Sequence, residues 1–215
     1  MSNVDRLAGN GAGLLREIAL ASRVKEGLSR LYQLDEVPCV KGFVTEADGQ
    51  EREALLVRDD GDGNLELALR IPRLRGRTFH LESEDLDPLC QIIEGVSHFI
   101  YLADRASAHR EATQLELEVQ AEVDKYVVLA HTLPDFDAAI SSRLRARLFG
   151  DVRYCDEEGT ELGDRYRVAN DVALRFTERI ERNYLGLQRL PALRRELRGF
   201  FRMGQEGKLR AARAA

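Results

Sequence analysis

Two apolar stripes at helical spacing in the middle of the chain constrain its fold more than any other feature. Leu89, Ile93, Val96 and Ile100 form the first, and Leu115, Val119, Val123, Val127 and Ala130 form the second. Steps of three and four place each set on one side of a helix. A helix with one apolar side has to bury it against another element. One bent helix over residues 84–130, or two helices, is therefore expected at the centre of the molecule, and Ala106, Ser107 and Ala108 contain no breaker that decides between them. Ser83 reads as the N-cap, with Glu84 and Asp85 near the positive end of the helix dipole. Pro134 marks the far boundary.

Ahead of this centre, Leu14, Ile18, Ala21, Leu28 and Leu31 predict a helix that begins near Asn10 and ends before Pro38. Residues 40–45 read as a short strand, and residues 51–72 as two strands around a Gly/Asp turn. Leu65, Leu67, Leu69 and Ile71 alternate with Glu66, Ala68 and Arg70, so one face of that hairpin meets the core. Such a hairpin needs a third strand or a helix to cover it. Arg73, Arg75 and Arg77 occupy the connection after Pro72. Beyond Pro134, helices are expected near 135–149, 164–185 and 189–202, with Gly150, Gly159, Gly163, Gly186 and Pro191 at their edges.

The fold class that follows is α+β and predominantly helical, with a small antiparallel sheet or hairpin near residues 40–71 packed on long central and C-terminal helices. Residues 1–203 read as a single domain with a mobile junction near 131–134, and 204–215 as a flexible tail with few apolar anchors. An apolar content of 44% supports a core without covalent staples. Cys39, Cys90 and Cys155 form no CxxC pair, and reduced thiols in a cytoplasmic protein are the simplest expectation. No uncharged apolar stretch is long enough to cross a bilayer, so no transmembrane association is expected.

Charge is unevenly distributed. Residues 1–130 hold 15 Lys/Arg against 24 Asp/Glu, whereas residues 131–215 hold 17 against 13. In the last helix, Leu190, Leu193, Leu197, Phe200 and Phe201 make an apolar face, and Arg194, Arg198 and Arg202 a basic line. Arg189, Arg195, Lys208, Arg210 and Arg213 widen the positive field. These features predict a non-enzymatic interaction, adaptor or regulatory protein. It would dock an acidic protein partner, or a second copy in a homo-oligomer, through Arg194, Arg198, Arg202, Leu197, Phe200 and Phe201. Nucleic acid is the competing partner for the same basic helix, although no recognition-helix or aromatic RNA-binding motif accompanies the charge.

Chemistry is concentrated in the central helices. Glu94 and His98 are four residues apart, with Tyr101 and Arg105 continuing along that side, while Glu111, Glu118 and Glu122 make a second carboxylate face. Antiparallel pairing of the two segments would bring His98 to Glu118 or Glu122, an arrangement that holds a metal or passes a proton. A helical metal or acid–base enzyme is thus the third functional reading. The di-metal bundle pattern is absent, because it needs Glu-x-x-His twice. A hydrogen-bonded His98 and a solvated Glu118 beside Glu122 and Lys125 account for the same residues without chemistry.

Other motifs point to no cofactor. Gly9, Gly11 and Gly13 follow no strand and lack the phosphate-loop pattern. Asp60, Asp62 and Asn64 alternate as in a calcium loop, but Leu65 and Ile71 stand where that loop requires Gly and Glu, which leaves an ordinary hairpin turn. Cys155 neighbours Asp156, Glu157 and Glu158, whose charge opposes a thiolate.

Overall fold

Helix α1 (Leu15–Tyr32) buries Ala21, Val24, Leu28 and Tyr32 along one stripe. It ends at Gln33, in the left-handed conformation with φ of 57° and its N–H on the Ser29 carbonyl, well before Pro38. The fold is that of a computed structural model describing residues 14–47, 54–59, 65–76, 81–133, 136–150, 152, 154–185 and 187–214. The helix start near Asn10, the turn of Asp60, Asp62 and Asn64, the glycines before residue 14, Arg77, Pro134 and Gly186 lie outside the described residues.

The sheet has three strands in the order β1-β3-β2, with β1 at Val44–Glu46, β2 at Ala54–Asp59 and β3 at Leu65–Ile71. The β2/β3 hairpin is antiparallel, pairing Leu55 with Leu69 and Val57 with Leu67, as the alternation predicts. The third strand is parallel to β3, with Val44 opposite Leu69 and Glu46 opposite Ile71, so the sheet is mixed rather than wholly antiparallel. Residues 40–42 form a 3-10 turn in place of the strand expected from residue 40. Leu69, Ile71 and Val44 point to the core, and Phe43 meets Phe99 with ring centroids 5.1 Å apart. Arg73 clamps the strap beyond β3 to Glu46 of β1, with Nη2 donating to Oε2 at 2.8 Å. The Glu17 carboxylate of α1 accepts the Leu74 N–H at 3.0 Å.

The helical centre is two helices, α2 (Leu86–Ser107) and α3 (Gln114–Thr132). Asp85, rather than Ser83, sits at the N-cap of α2, and its carboxylate accepts the backbone N–H groups of Arg75 (2.8 Å) and Gly76. After α2, His109 adopts φ of 50°, a conformation that stops a right-handed helix. The chain restarts at Thr113, whose side chain accepts the Glu116 N–H at 3.1 Å. This Thr-x-x-Glu start is the signal in the sequence that separates the two helices.

Helix α4 (Ala138–Arg145) is capped by Asp137 and runs into a π turn over Ala146–Gly150. Helix α5 (Glu161–Ile180) is capped by Thr160 and ends in a second π turn, Glu181–Leu185. Gly163 is obligatory at the start of α5, because a Cβ there would lie 2.1 Å from the Glu157 carbonyl oxygen. Helix α6 (Leu190–Arg202) inserts Phe200 against Phe176 of α5 at 3.9 Å and Phe201 against Tyr32 of α1 at 4.3 Å, both stacked. The segment expected to be a flexible tail forms a further helix, α7 (Gln205–Arg213), with Lys208 and Ala212 buried.

Lys208 explains why α7 is anchored. Its ammonium donates to Gln120 Oε1 at 2.6 Å and to the Phe200 carbonyl at 2.9 Å, and lies over the rings of Phe200 and Tyr101. Gln120 passes the connection on, donating to Asp124 Oδ1 at 3.0 Å and to the Tyr32 hydroxyl at 3.1 Å. Asp124 accepts further hydrogen bonds from Ser97 at 2.6 Å and from Tyr32. Burial pushes the Asp124 carboxyl up to about 6 and the Lys208 ammonium down to about 7.

These shifts fix a pH dependence. From pH 3.8 to about 6 folded Asp124 keeps a proton that the unfolded chain has lost, so stability falls as pH rises through that window. From about pH 7 to 10.5 the unfolded chain holds a proton that folded Lys208 has lost, so stability rises with pH. Urea midpoints should therefore dip near neutrality. Lys208→Met should abolish the alkaline rise, and Asp124→Asn the acid-side fall; unchanged profiles in both variants would refute the assignment.

Candidate functional site

Helices α2 and α3 pack antiparallel, and the polar contacts between them descend in order. Lys125 Nζ meets Glu94 Oε2 at 3.2 Å, His98 Nε2 meets Glu118 Oε2 at 3.7 Å, and the Tyr101 hydroxyl donates to Glu116 Oε2 at 3.1 Å. Each step down α3 is matched by a step up α2, the pairing that the sequence requires if His98 is to reach a carboxylate. Glu94 and His98 share a face one turn apart, and Glu118 closes the triangle. One ligand atom from each of the three lies within 4.8 Å of the other two. His98 and Glu118 are buried, and Glu94 is half-buried.

Lys125 organises the edge of this cluster. Its ammonium bridges Glu94 and, at 2.7 Å, Glu122. Burial alone would lower the Lys125 pKa, but Glu122 and Glu94 beside it raise it well above the usual lysine range. Burial likewise raises the Glu122 carboxyl, with Lys125 pulling it back down. Glu122 therefore serves Lys125, and Glu118 is the residue that faces the imidazole. Cys90, one turn before Glu94, is pushed up to about 12 by burial and is an inert thiol.

The structure divides the other residues predicted for this site. Glu111 is exposed in the connection before α3 and takes no part. Tyr101 and Arg105 turn to Glu116 and to the Met203 carbonyl, which Arg105 reaches at 2.8 Å, so they tie α2 to the end of α6. Glu116, Gln120 and Asp124 were not singled out from the sequence. Their i, i+4, i+8 spacing opposite the Glu118/Glu122 face was the available signal: a helix polar on two opposite sides and yet central.

The residues predicted for partner contact also separate. Arg194 and Arg202 are exposed, whereas Arg198 is half-buried and donates through Nε to the Leu31 carbonyl at 2.6 Å. Leu197, Phe200 and Phe201 are covered by the chain's own core, at no more than 4% exposure, and hold α6 in place. Lys208 is 1% exposed and adds nothing to the outer basic field. A large groove of about 1190 Å³ opens between α1, the C-terminal half of α3 and α6, with Leu31, Leu133, Leu193 and Leu197 in its walls. Among the described residues no helix is long and apolar enough to cross a membrane.

No family model, curated protein or solved structure matches this chain. The geometry of its side chains carries the functional argument.

The ion triad yields a direct expectation. Lys125→Met leaves two enclosed carboxylates without their shared cation and should cost about 3–5 kcal/mol, read as a lower denaturant midpoint. Adding Glu122→Gln should recover part of that loss. A Lys125→Met protein as stable as the parent would disprove the bridging role.

Proposed function

We propose that the protein is a helical metal-dependent protein of the acid–base kind, binding one divalent cation between α2 and α3 through Glu94, His98 and Glu118. The observation that carries this reading is the convergence of three ligand atoms from three side chains within 4.8 Å. Two hard carboxylate oxygens and one imidazole nitrogen suit Mn²⁺, Fe²⁺, Co²⁺ or Zn²⁺ better than a soft, thiolate-seeking ion. A carboxylate has two oxygens, so Glu94 can keep Lys125 on Oε2 and turn the other toward a cation. Three protein ligands leave further positions for water or a substrate oxygen, where a bound cation acts as a Lewis acid and lowers the pKa of water. Lys125 and Glu122 then fix the orientation of Glu94 from behind, as outer partners do in metal centres.

Calorimetric titration of tag-free protein with Mn²⁺ and with Zn²⁺, alongside elemental analysis, tests the proposal. One ion per chain is expected for the parent protein. His98→Ala and Glu118→Gln should each weaken binding at least about tenfold, whereas Glu111→Gln, in the exposed connection, should leave it unchanged. Equal binding by all four proteins, or none by the parent, would reject the site.

A further inference from the structure

Among the described residues, the lining of the groove between α1, α3 and α6 carries charge of one sign. Its described lining is apolar apart from Thr132, Tyr126, His131 and four arginines, and contains no Asp or Glu. The arginines are Arg23 and Arg30 on α1 and Arg194 and Arg198 on α6, and none is paired with a carboxylate among the described residues. In a chain with 37 acidic residues against 32 basic ones, a large apolar surface whose ionised side chains, among the described residues, are all arginines favours an anionic, amphipathic occupant.

Size and charge spacing identify the occupant. A volume of about 1190 Å³ exceeds the range of about 300–1000 Å³ usual for small-ligand pockets. The α1 wall runs from Leu20 to Leu31, about 16 Å at helical rise, which matches about three turns of a docked helix. Arg23 and Arg30 stand two turns apart on one wall, and Arg194 and Arg198 one turn apart on the other. Positive charge is thus spread along both walls, where a single-headed lipid would need it gathered at one end. Leu190, half exposed, extends the apolar lining to the lip. A second copy of this chain is the wrong complement, since a two-fold interface would set arginines against arginines.

We infer that this groove is a docking site for an acidic amphipathic helix of a partner protein, its apolar stripe seated on the leucines and its carboxylates on the arginines of α1 and α6. This is the helix-in-groove mode of recognition. It is independent of the metal centre, which lies on the α2/α3 contact and shares none of the groove's lining residues.

Fluorescence anisotropy with two synthetic helical peptides of about 18 residues tests it. Both carry Leu at i, i+3, i+4 and i+7; one has Glu on both flanks and the other Lys. The parent protein should bind the Glu peptide at least about tenfold more tightly than the Lys peptide at low salt, with the preference fading as salt rises. Arg23→Glu combined with Arg194→Glu changes two exposed side chains and should invert the preference, an outcome that misfolding cannot produce. Gly27 lines the groove, and a Cβ built there meets nothing within 4 Å, so Gly27→Phe should plug the site without loss of thermal stability. Equal affinity for both peptides, no binding of either, or a preference unmoved by charge reversal would overturn the inference. So would saturable binding of dodecanoate or phosphatidylglycerol vesicles, or a dimer abolished by Gly27→Phe, in the absence of Glu-peptide selectivity.

Discussion

The buried chain of hydrogen bonds from Asp124 through Gln120 to Lys208 is the interaction on which the rest of the structure depends. It draws on Tyr32 of α1, Ser97 of α2, Gln120 and Asp124 of α3 and Lys208 of α7, and so fixes four helices at one place. An isolated carboxylate or ammonium in that position would be expensive. Three donors on Asp124, and two acceptors and two aromatic faces around Lys208, offset much of the desolvation. Any slip of α3 or α7 would break several of these bonds together, so the network fixes the register of both helices.

Helix α3 is polar on two opposite sides, and this organises the centre of the molecule. One side meets α1, α2 and α7 through Glu116, Gln120 and Asp124, while the other sets Glu118 and Lys125 against His98 and Glu94 of α2, with Glu122 beside Lys125. Neither side can turn toward solvent without stranding the partners of the other. The rotation of α3 is thereby set, and the Glu94/His98/Glu118 triangle follows from it. A metal centre benefits from such a frame, since ligand atoms have to be held in place before the ion arrives.

The basic C-terminal half acquires a different meaning once its cations are placed. Lys208 is consumed by the core, Arg198 by a backbone carbonyl of α1, and Arg179 and Arg145 by ion pairs with Glu196 and Glu181. Charge that looks like a continuous stripe in the sequence is divided among structural duties, and of the exposed arginines of α6 it is Arg194 that lines the apolar groove. Shape joined to charge selects a narrower class of partner than charge alone.

Much of the fold was legible along the chain. The stripes of α2 and α3, the alternation of β3 and the apolar face of α6 follow from local spacing, because periods of 2 and 3.6 report which side of an element is buried, whereas the approach of His98 to Glu118 was legible only on the condition that the two helices pair antiparallel. The parallel pairing of β1, the helix at Gln205–Arg213 and the burial of Lys208 were settled by folding. They rest on contacts between residues far apart in sequence: Val44 with Leu69, Glu116 with the Gln205 N–H, Gln120 with Lys208. A lysine in a polar C-terminal stretch reads as solvated surface, and no local pattern announces that a glutamine 88 residues earlier will take its proton donor. Periodicity encodes which face turns inward, whereas the identity of what waits there is a property of the assembled core.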